Sequence, residues 1–257
     1  EMLMHPDWNK RDTSSLAGLG GGGAALQPDL VHKIAGALKH GQPSTGYGMT
    51  ETCGIITANS SRWFVAKPES CGPAVPTLET KLVDEEGRDL PPGPNTVGVL
   101  CVRGSITIKG YLNRPEATAD TIKDGWLNTG DIARIDEDGF IYIVDRAKDM
   151  IIRGGENIYP REVESVIFTH PKILDVAVVG VPDEVWGERV VAVIRWKDES
   201  DQPTAAELVE FCTERLARHK APKEWFSAEA FPLTGSGKIQ KYRIASLVGE
   251  GVYGVVN

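Results

Sequence analysis

The chain has 257 residues, 41% apolar and 25% charged, the make-up of a globular protein long enough for one large domain or two ordinary ones. Its net charge of -8 speaks against a general nucleic-acid binder, whose footprint is basic, but leaves room for a local cationic site. The four cysteines (53, 71, 101 and 212) have neither C-x-x-C nor zinc spacing and the five histidines are scattered, so free thiols in a reducing, cytoplasmic setting are expected rather than a metal or disulfide framework.

In chain order, residues 1–13 are polar and irregular. "LGGGGAALQPDLVHKIAGAL" then reads as a strand end, a glycine run and an amphipathic helix carrying Leu30, Ile34 and Leu38. From about 72 to 146 the runs "TLETKLVD", "VGVLCVRG" and "GFIYIVDR", separated by "EEG", "PPGP" and "DEDG", predict a small antiparallel sheet or β-barrel. A composition break near 145–150, with "DRAKD" as an exposed linker, sets the boundary between domains at 1–147 and 148–257. Beyond it, "YPREVESVIFTHP" is a helix with Val163, Val166 and Ile167 on one face, ended by Pro171. Strands "ILDVAVVGVP" and "RVVAVIRW" follow, then the helix "TAAELVEFCTERLARH". Thr204 and Glu207 form its capping box, and Leu208, Phe211, Cys212 and Leu216 its buried stripe. No apolar run is long enough to cross a bilayer as a helix.

Three stretches could carry chemistry. In "STGYGMTETCG", a tyrosine between glycines lets backbone pass close to a planar ligand; Thr50 is a hydroxyl donor and Glu51 a hard oxygen ligand for Mg²⁺. A plain loop with an N-capping threonine explains the same letters. In "GWLNTGDIARI", Asp131 follows Thr-Gly just before a predicted strand, where a carboxylate can accept ribose hydroxyls or can simply make a turn. "PLTGSGK" looks like a phosphate loop, but a Walker loop needs glycine at Pro232 and Ser or Thr at Ile239. Lys238 therefore reads as a lysine on a mobile loop.

Taken together, "GYGMTET", "WLNTGD", "DRAKDMIIRGGENIYPREVE" and "PLTGSGKIQK", in this order, resemble the motif series of the adenylate-forming superfamily of acyl- and aryl-CoA synthetases, luciferase and peptide-synthetase adenylation domains. "GGENIYPREVE" and "YLNRPEAT" are most similar to fatty-acyl-CoA ligases. The resemblance implies an α/β and α+β architecture: the remainder of a large N-terminal adenylation domain, with a partial α/β layer and a small β-barrel, followed by a compact, mobile α+β C-terminal domain. It implies ATP and AMP, Mg²⁺ and coenzyme A as ligands, and a small carboxylic acid as the other substrate. Gly22, Gly23 and Ala24 would line the adenine and acyl pocket, and Tyr47 would stack near adenine. Thr50 would contact phosphate, Glu51 hold Mg²⁺, and Asp131 bind ribose with Arg146. Lys238 would bridge carboxylate, ribose and α-phosphate. Lys148 would be the hinge, and Gly155 would let pantetheine pass close to the backbone.

Val99 and Ser105 stand where relatives usually carry Glu and Pro, and Lys241 where Arg is common. The family's T-S-G-T-T-G-x-P-K loop for the β- and γ-phosphates has no counterpart, and the chain opens on Glu1, so a missing N-terminal half is expected, with the isolated chain inactive. A peptide-synthetase-type adenylation domain and a non-catalytic nucleotide or acyl-adenylate binding module remain as alternatives.

Overall fold

The computed structural model describes residues 2–21, 26, 28–235 and 237–257. The expected pocket residues Gly22, Gly23 and Ala24 lie outside them. The chain forms two compact units, divided between Ile143 and Val144.

In the first unit, strand β1 (Gly18–Gly21) leads to helix α1 (Pro28–Ala37), then β2 (Gln42–Tyr47), β3 (Thr57–Ser60) and helix α2 (Ser61–Ala66). β2 is the central strand, parallel to β1 and antiparallel to β3. The buried stripe of α1 is Val31, Ile34 and Leu38; Leu30, expected on that face, is exposed. The 3.6-residue period admits either neighbour, and packing in the first unit buries Val31.

The second sheet of this unit comprises β4 (Gly72–Pro73), β5 (Leu78–Val83), β6 (Asp89–Leu90), β7 (Gly93–Gly104), β8 (Ile122–Lys123), β9 (Trp126–Ile135) and β10 (Phe140–Arg146), with helix α3 (Pro115–Thr121) between β7 and β8. Their order is β4-β10-β9-β7-β5-β6, with β8 on β9. Ile56, Leu78, Leu82, Leu100, Val102, Leu127 and Ile141 make its core. The sheet is open, which corrects the expected barrel. Its edges, β4 and β6, are two residues long, and Pro73 has no N–H to donate, so neither edge offers a ladder for closure.

The second unit contains the hairpin β11 (Ile151–Arg153) and β12 (Glu156–Ile158), helix α4 (Pro160–Ile167), β13 (Ile173–Asp183), β14 (Gly187–Trp196), helix α5 (Ala205–Thr213), β15 (Glu224–Ser227), helix α6 (Lys241–Gly249) and β16 (Gly254–Val255). The near-continuous apolar runs of β13 and β14 have a simple cause: both faces of this sheet are covered. Val176, Val178, Val190, Ala192 and Ile194 pack with Val163, Ile167, Leu208 and Cys212 on one face. Ala177, Val179, Val181, Val191 and Val193 pack with Ile244, Val248 and Phe231 on the other. The capping box on α5 forms as expected: Thr204 Oγ1 accepts from the Glu207 amide at 3.3 Å and Glu207 Oε2 from the Thr204 amide at 2.7 Å.

The "DRAKD" stretch is not wholly exposed. Lys148 is, on a 3-10 turn (Ala147–Asp149), but Asp145 is buried, accepting from the Arg161 amide at 2.7 Å at the start of α4. All four cysteines are free thiols, and among the described residues no helix is long and apolar enough to cross a membrane.

Candidate active site

In the first unit the chemistry gathers where β2 ends and β9 bulges. Val99 faces Ile132 and Cys101 faces Asn128, so Thr129, Gly130 and Asp131 together oppose the single residue Leu100. Gly130 takes φ +70° within this bulge, an arrangement that re-aims side chains. Asp131 therefore lies inside a strand, not ahead of one; the Thr-Gly pair that reads as a turn is the bulge itself. Thr129 fixes it by donating its hydroxyl to Leu100 O at 2.8 Å and accepting from the Asp131 amide at 3.1 Å.

Asp131 is 4% exposed, and its Oδ2 accepts the hydroxyl of Tyr47. Tyr47 is itself held at the end of β2, where its amide donates to Thr57 Oγ1 at 3.2 Å. Burial, and then the Asp131 charge, push the Tyr47 phenol far above its ordinary value, so it stays a proton donor. Two expected ligand-binding residues, 84 positions apart, are thus one hydrogen-bonded unit.

Thr50 and Glu51 follow on a 3-10 turn (Thr50–Thr52). The threonine that ties this turn is buried Thr52, whose hydroxyl donates to Met49 O at 3.1 Å; Thr50 is exposed and open to a ligand. Glu51 is half-buried, and its Oε1 accepts from the Tyr111 hydroxyl at 2.8 Å. Among the described residues no three His, Cys, Asp or Glu cluster around a potential metal position. A cation here would draw most of its ligands from phosphate oxygens and water. One hard carboxylate beside a free hydroxyl fits that magnesium mode.

In the second unit, Arg153 and Glu156 pair across a two-residue turn, with Gly154 at φ +61° and Gly155 at φ +84°. Left-handed backbone at both positions is the type I′ requirement, so the turn alone demands the glycine pair. A Cβ on Gly154 would lie 2.9 Å from Trp186 Cε3, whereas one on Gly155 would meet nothing within 4 Å. Gly155 thus presents open backbone at the tip. Arg146 and Lys148 are exposed near the start of this unit, and the Arg146 amide donates to Asp145 Oδ1 at 2.7 Å.

Lys238 is exposed on a turn that is closed at several points. Thr234 N donates to Lys238 O at 2.8 Å, Lys238 N to Thr234 Oγ1 at 3.0 Å, and Gln240 N to Pro232 O at 2.9 Å. Among the described residues of this turn, the Lys238 backbone is thus hydrogen-bonded on both sides to Thr234. Sequence reasoning missed Thr129 and Tyr111 as parts of the site. The first lay within "WLNTGD" and the second within "YLNRPEAT", but each also bonds a residue far along the chain, Leu100 and Glu51.

Residues 1–112 match the family model for AMP-binding enzyme, and residues 162–238 the model for the AMP-binding enzyme C-terminal domain. The medium/long-chain-fatty-acid–CoA ligase FadD8 of Mycobacterium tuberculosis is 40% identical over 265 residues, covering 97% of this chain and 44% of that protein. The mitochondrial medium-chain acyl-CoA ligase ACSF2 of Bos taurus is 40% identical over 246 residues, covering 95% and 40%. Among solved structures, o-succinylbenzoate CoA synthetase from Bacillus subtilis in complex with ATP and magnesium ion matches with TM-score 0.81 at 34% identity, over 91% of this chain and 47% of that one. An ATP-bound RpMatB-BxBclM chimera matches with TM-score 0.84 at 32% identity, over 96% and 48%. The chain spans less than half the length of each.

Proposed function

We propose that this chain, which belongs to the AMP-binding enzyme family, supplies the adenylate-binding face and the C-terminal unit of an ATP-dependent acyl-CoA ligase. In the first half-reaction a substrate carboxylate attacks the α-phosphate of ATP, forming the acyl-adenylate and releasing pyrophosphate. In the second, the thiol of coenzyme A attacks the acyl carbonyl carbon, the thioester forms, and AMP leaves. The part of the relatives' length that this chain does not span would carry the β,γ-phosphate loop and most of the acid pocket. The relatives named above act on different acids, so the acid chosen is not inferred from them.

The observation that carries this reading is the Tyr47–Asp131 pair on the β9 bulge. A buried carboxylate fixed by a phenol is a preorganised acceptor for ribose hydroxyls, and the tyrosine ring would lie near adenine. Thr50 and Glu51, on the turn that follows, would meet the phosphates. Magnesium bound there would neutralise charge between the phosphates as the carboxylate approaches. Lys238 would bring a compact positive charge to the α-phosphate and the attacking carboxylate, where two anions must meet. For the second half-reaction Lys238 would withdraw and the Gly154–Gly155 turn would enter, with rotation at Lys148. Four free thiols suit a reducing compartment such as the cytoplasm.

Calorimetry with AMP and a pyrophosphate-release assay test the reading. The 257 residues alone are expected to bind AMP weakly and to release no pyrophosphate. Joined to the N-terminal segment of the relatives' length, the chain is expected to release pyrophosphate only when a carboxylic acid is present. AMP binding without acid-dependent release from the joined protein would favour a non-catalytic binding module instead.

A further inference from the structure

Tyr111 makes a contact to which neither motif nor family match assigns a role. Its hydroxyl donates to Glu51 Oε1 at 2.8 Å, across 60 positions of sequence. A second tie runs alongside, from the Ile108 amide to Glu51 O at 2.9 Å. The tyrosine's own backbone is anchored too. Its amide donates to Thr118 Oγ1 at 2.9 Å, and that hydroxyl donates at 2.9 Å to the carbonyl of Arg114, the residue that precedes α3. The approach needs a glycine just before the tyrosine: at Gly110, φ +155°, a Cβ would lie 2.7 Å from Thr118 Cγ2. The "KGYLNRPEAT" segment is thus a brace with Tyr111 pinned at its amide and at its hydroxyl.

We infer that Tyr111 is a positioning residue for the magnesium-holding carboxylate. By occupying Oε1 it stops the Glu51 side chain from rotating freely, so that the group reaches the metal–phosphate complex already oriented. Partners behind a metal ligand act in this way, and their removal typically weakens metal affinity about 10–100-fold. The inference rests on the reading of Glu51 proposed above. Because the brace is a neutral hydroxyl on a half-exposed carboxylate, the low end of that range applies.

The test is Mn²⁺ binding in the presence of ATP, followed by the electron paramagnetic resonance signal of free Mn²⁺ in the full-length ligase. Tyr111→Phe keeps the ring and its packing and removes only the hydroxyl. It is expected to weaken Mn²⁺ binding about tenfold, while AMP affinity measured without metal is retained. In a Glu51→Gln background the same substitution should have no further effect on Mn²⁺, which a merely structural role would not produce. If Glu51→Gln weakens Mn²⁺ binding and Tyr111→Phe does not, the positioning role is wrong and the Glu51 reading stands. If Glu51→Gln itself leaves Mn²⁺ binding unchanged, the Glu51 reading falls and the inference with it. Equal losses from Tyr111→Phe in both backgrounds would also overturn it.

Discussion

Lys241 Nζ lies 2.8 Å from Glu164 Oε1, joining the first residue of α6 to the middle of α4. The same carboxylate oxygen accepts from the Val178 amide at 2.7 Å, so two helices and β13 meet at one oxygen. The side chains are only 18% and 19% exposed, and the base of the Lys238 turn is three residues upstream. Burial raises the Glu164 carboxyl above its ordinary 4.5; Lys241 and the Val178 amide pull it down, and nearby Asp145 adds to the rise. Desolvation wins over the ion pair.

Lys241→Met should therefore destabilise the protein by about 2–3 kcal/mol at about pH 8, somewhat below the cost for fully buried pairs because both groups keep some water. The loss has a definite pH sign. With its folded-state value raised, Glu164 binds more protons in the native than in the unfolded state between pH 4.5 and that raised value, so its contribution weakens as pH rises through the folded-state value. The deficit of Lys241→Met should shrink as pH is lowered toward 4.5 and the stranded carboxylate protonates. Urea unfolding at several pH values checks this; a deficit independent of pH would show that Glu164 is not the stranded group.

Lys238→Ala separates function from folding. The bonds that close its turn use the Lys238 backbone and the Thr234 hydroxyl, so removing the side chain leaves them in place. Stability should change by less than about 0.5 kcal/mol. In the chain joined to the N-terminal segment of its relatives' length, the proposed activity predicts that adenylate formation is abolished while thioester formation from supplied acyl-adenylate is spared. Equal loss of both half-reactions would refute the role given to Lys238.

Tyr47→Phe leaves Asp131 buried without the phenol and should cost about 1.5–3 kcal/mol, the value of a hydrogen bond to a charged group. AMP affinity should fall with it. The raised phenol also gives the wild type an alkaline signature: above pH 10 an unfolded tyrosine loses its proton while Tyr47 keeps it, so stability declines as pH rises further. Thermal unfolding compared above and below pH 10 should show part of that decline disappearing in the phenylalanine variant.

Asp145→Ala tests a tie within the second unit, from the last residues of β10 to α4. Tyr159 precedes the helix without a side-chain cap, and Asp145 fills that role from a distant strand through the Arg161 amide. The substitution should cost about 1–2 kcal/mol, as loss of a helix cap does, and should speed hydrogen exchange at the Arg161 amide. Unchanged exchange would mean that another group caps α4.

Interactions that close within a few residues were legible from the chain. The Thr204–Glu207 capping box needs only a three-residue spacing, and the β13 and β14 runs announce themselves by length and branching. The motif series carried the family because its letters are fixed by ligand chemistry. Other features were readable only in part. The 3.6-residue period allowed Leu30 or Val31 on the buried face of α1, and no local signal marked β15 or α6.

The sequence by itself determined the covalent inventory of the site: which carboxylates, hydroxyls and lysine are present, and in what order. Tertiary structure alone decided their partners. Tyr47 meets Asp131 because β9 bulges opposite Leu100, and Glu51 meets Tyr111 because Gly110 lets the chain close onto Thr118. The open sheet was likewise settled by its two short edges. Each of these depends on strand register and close approach between distant segments, which spacing along the chain does not encode locally.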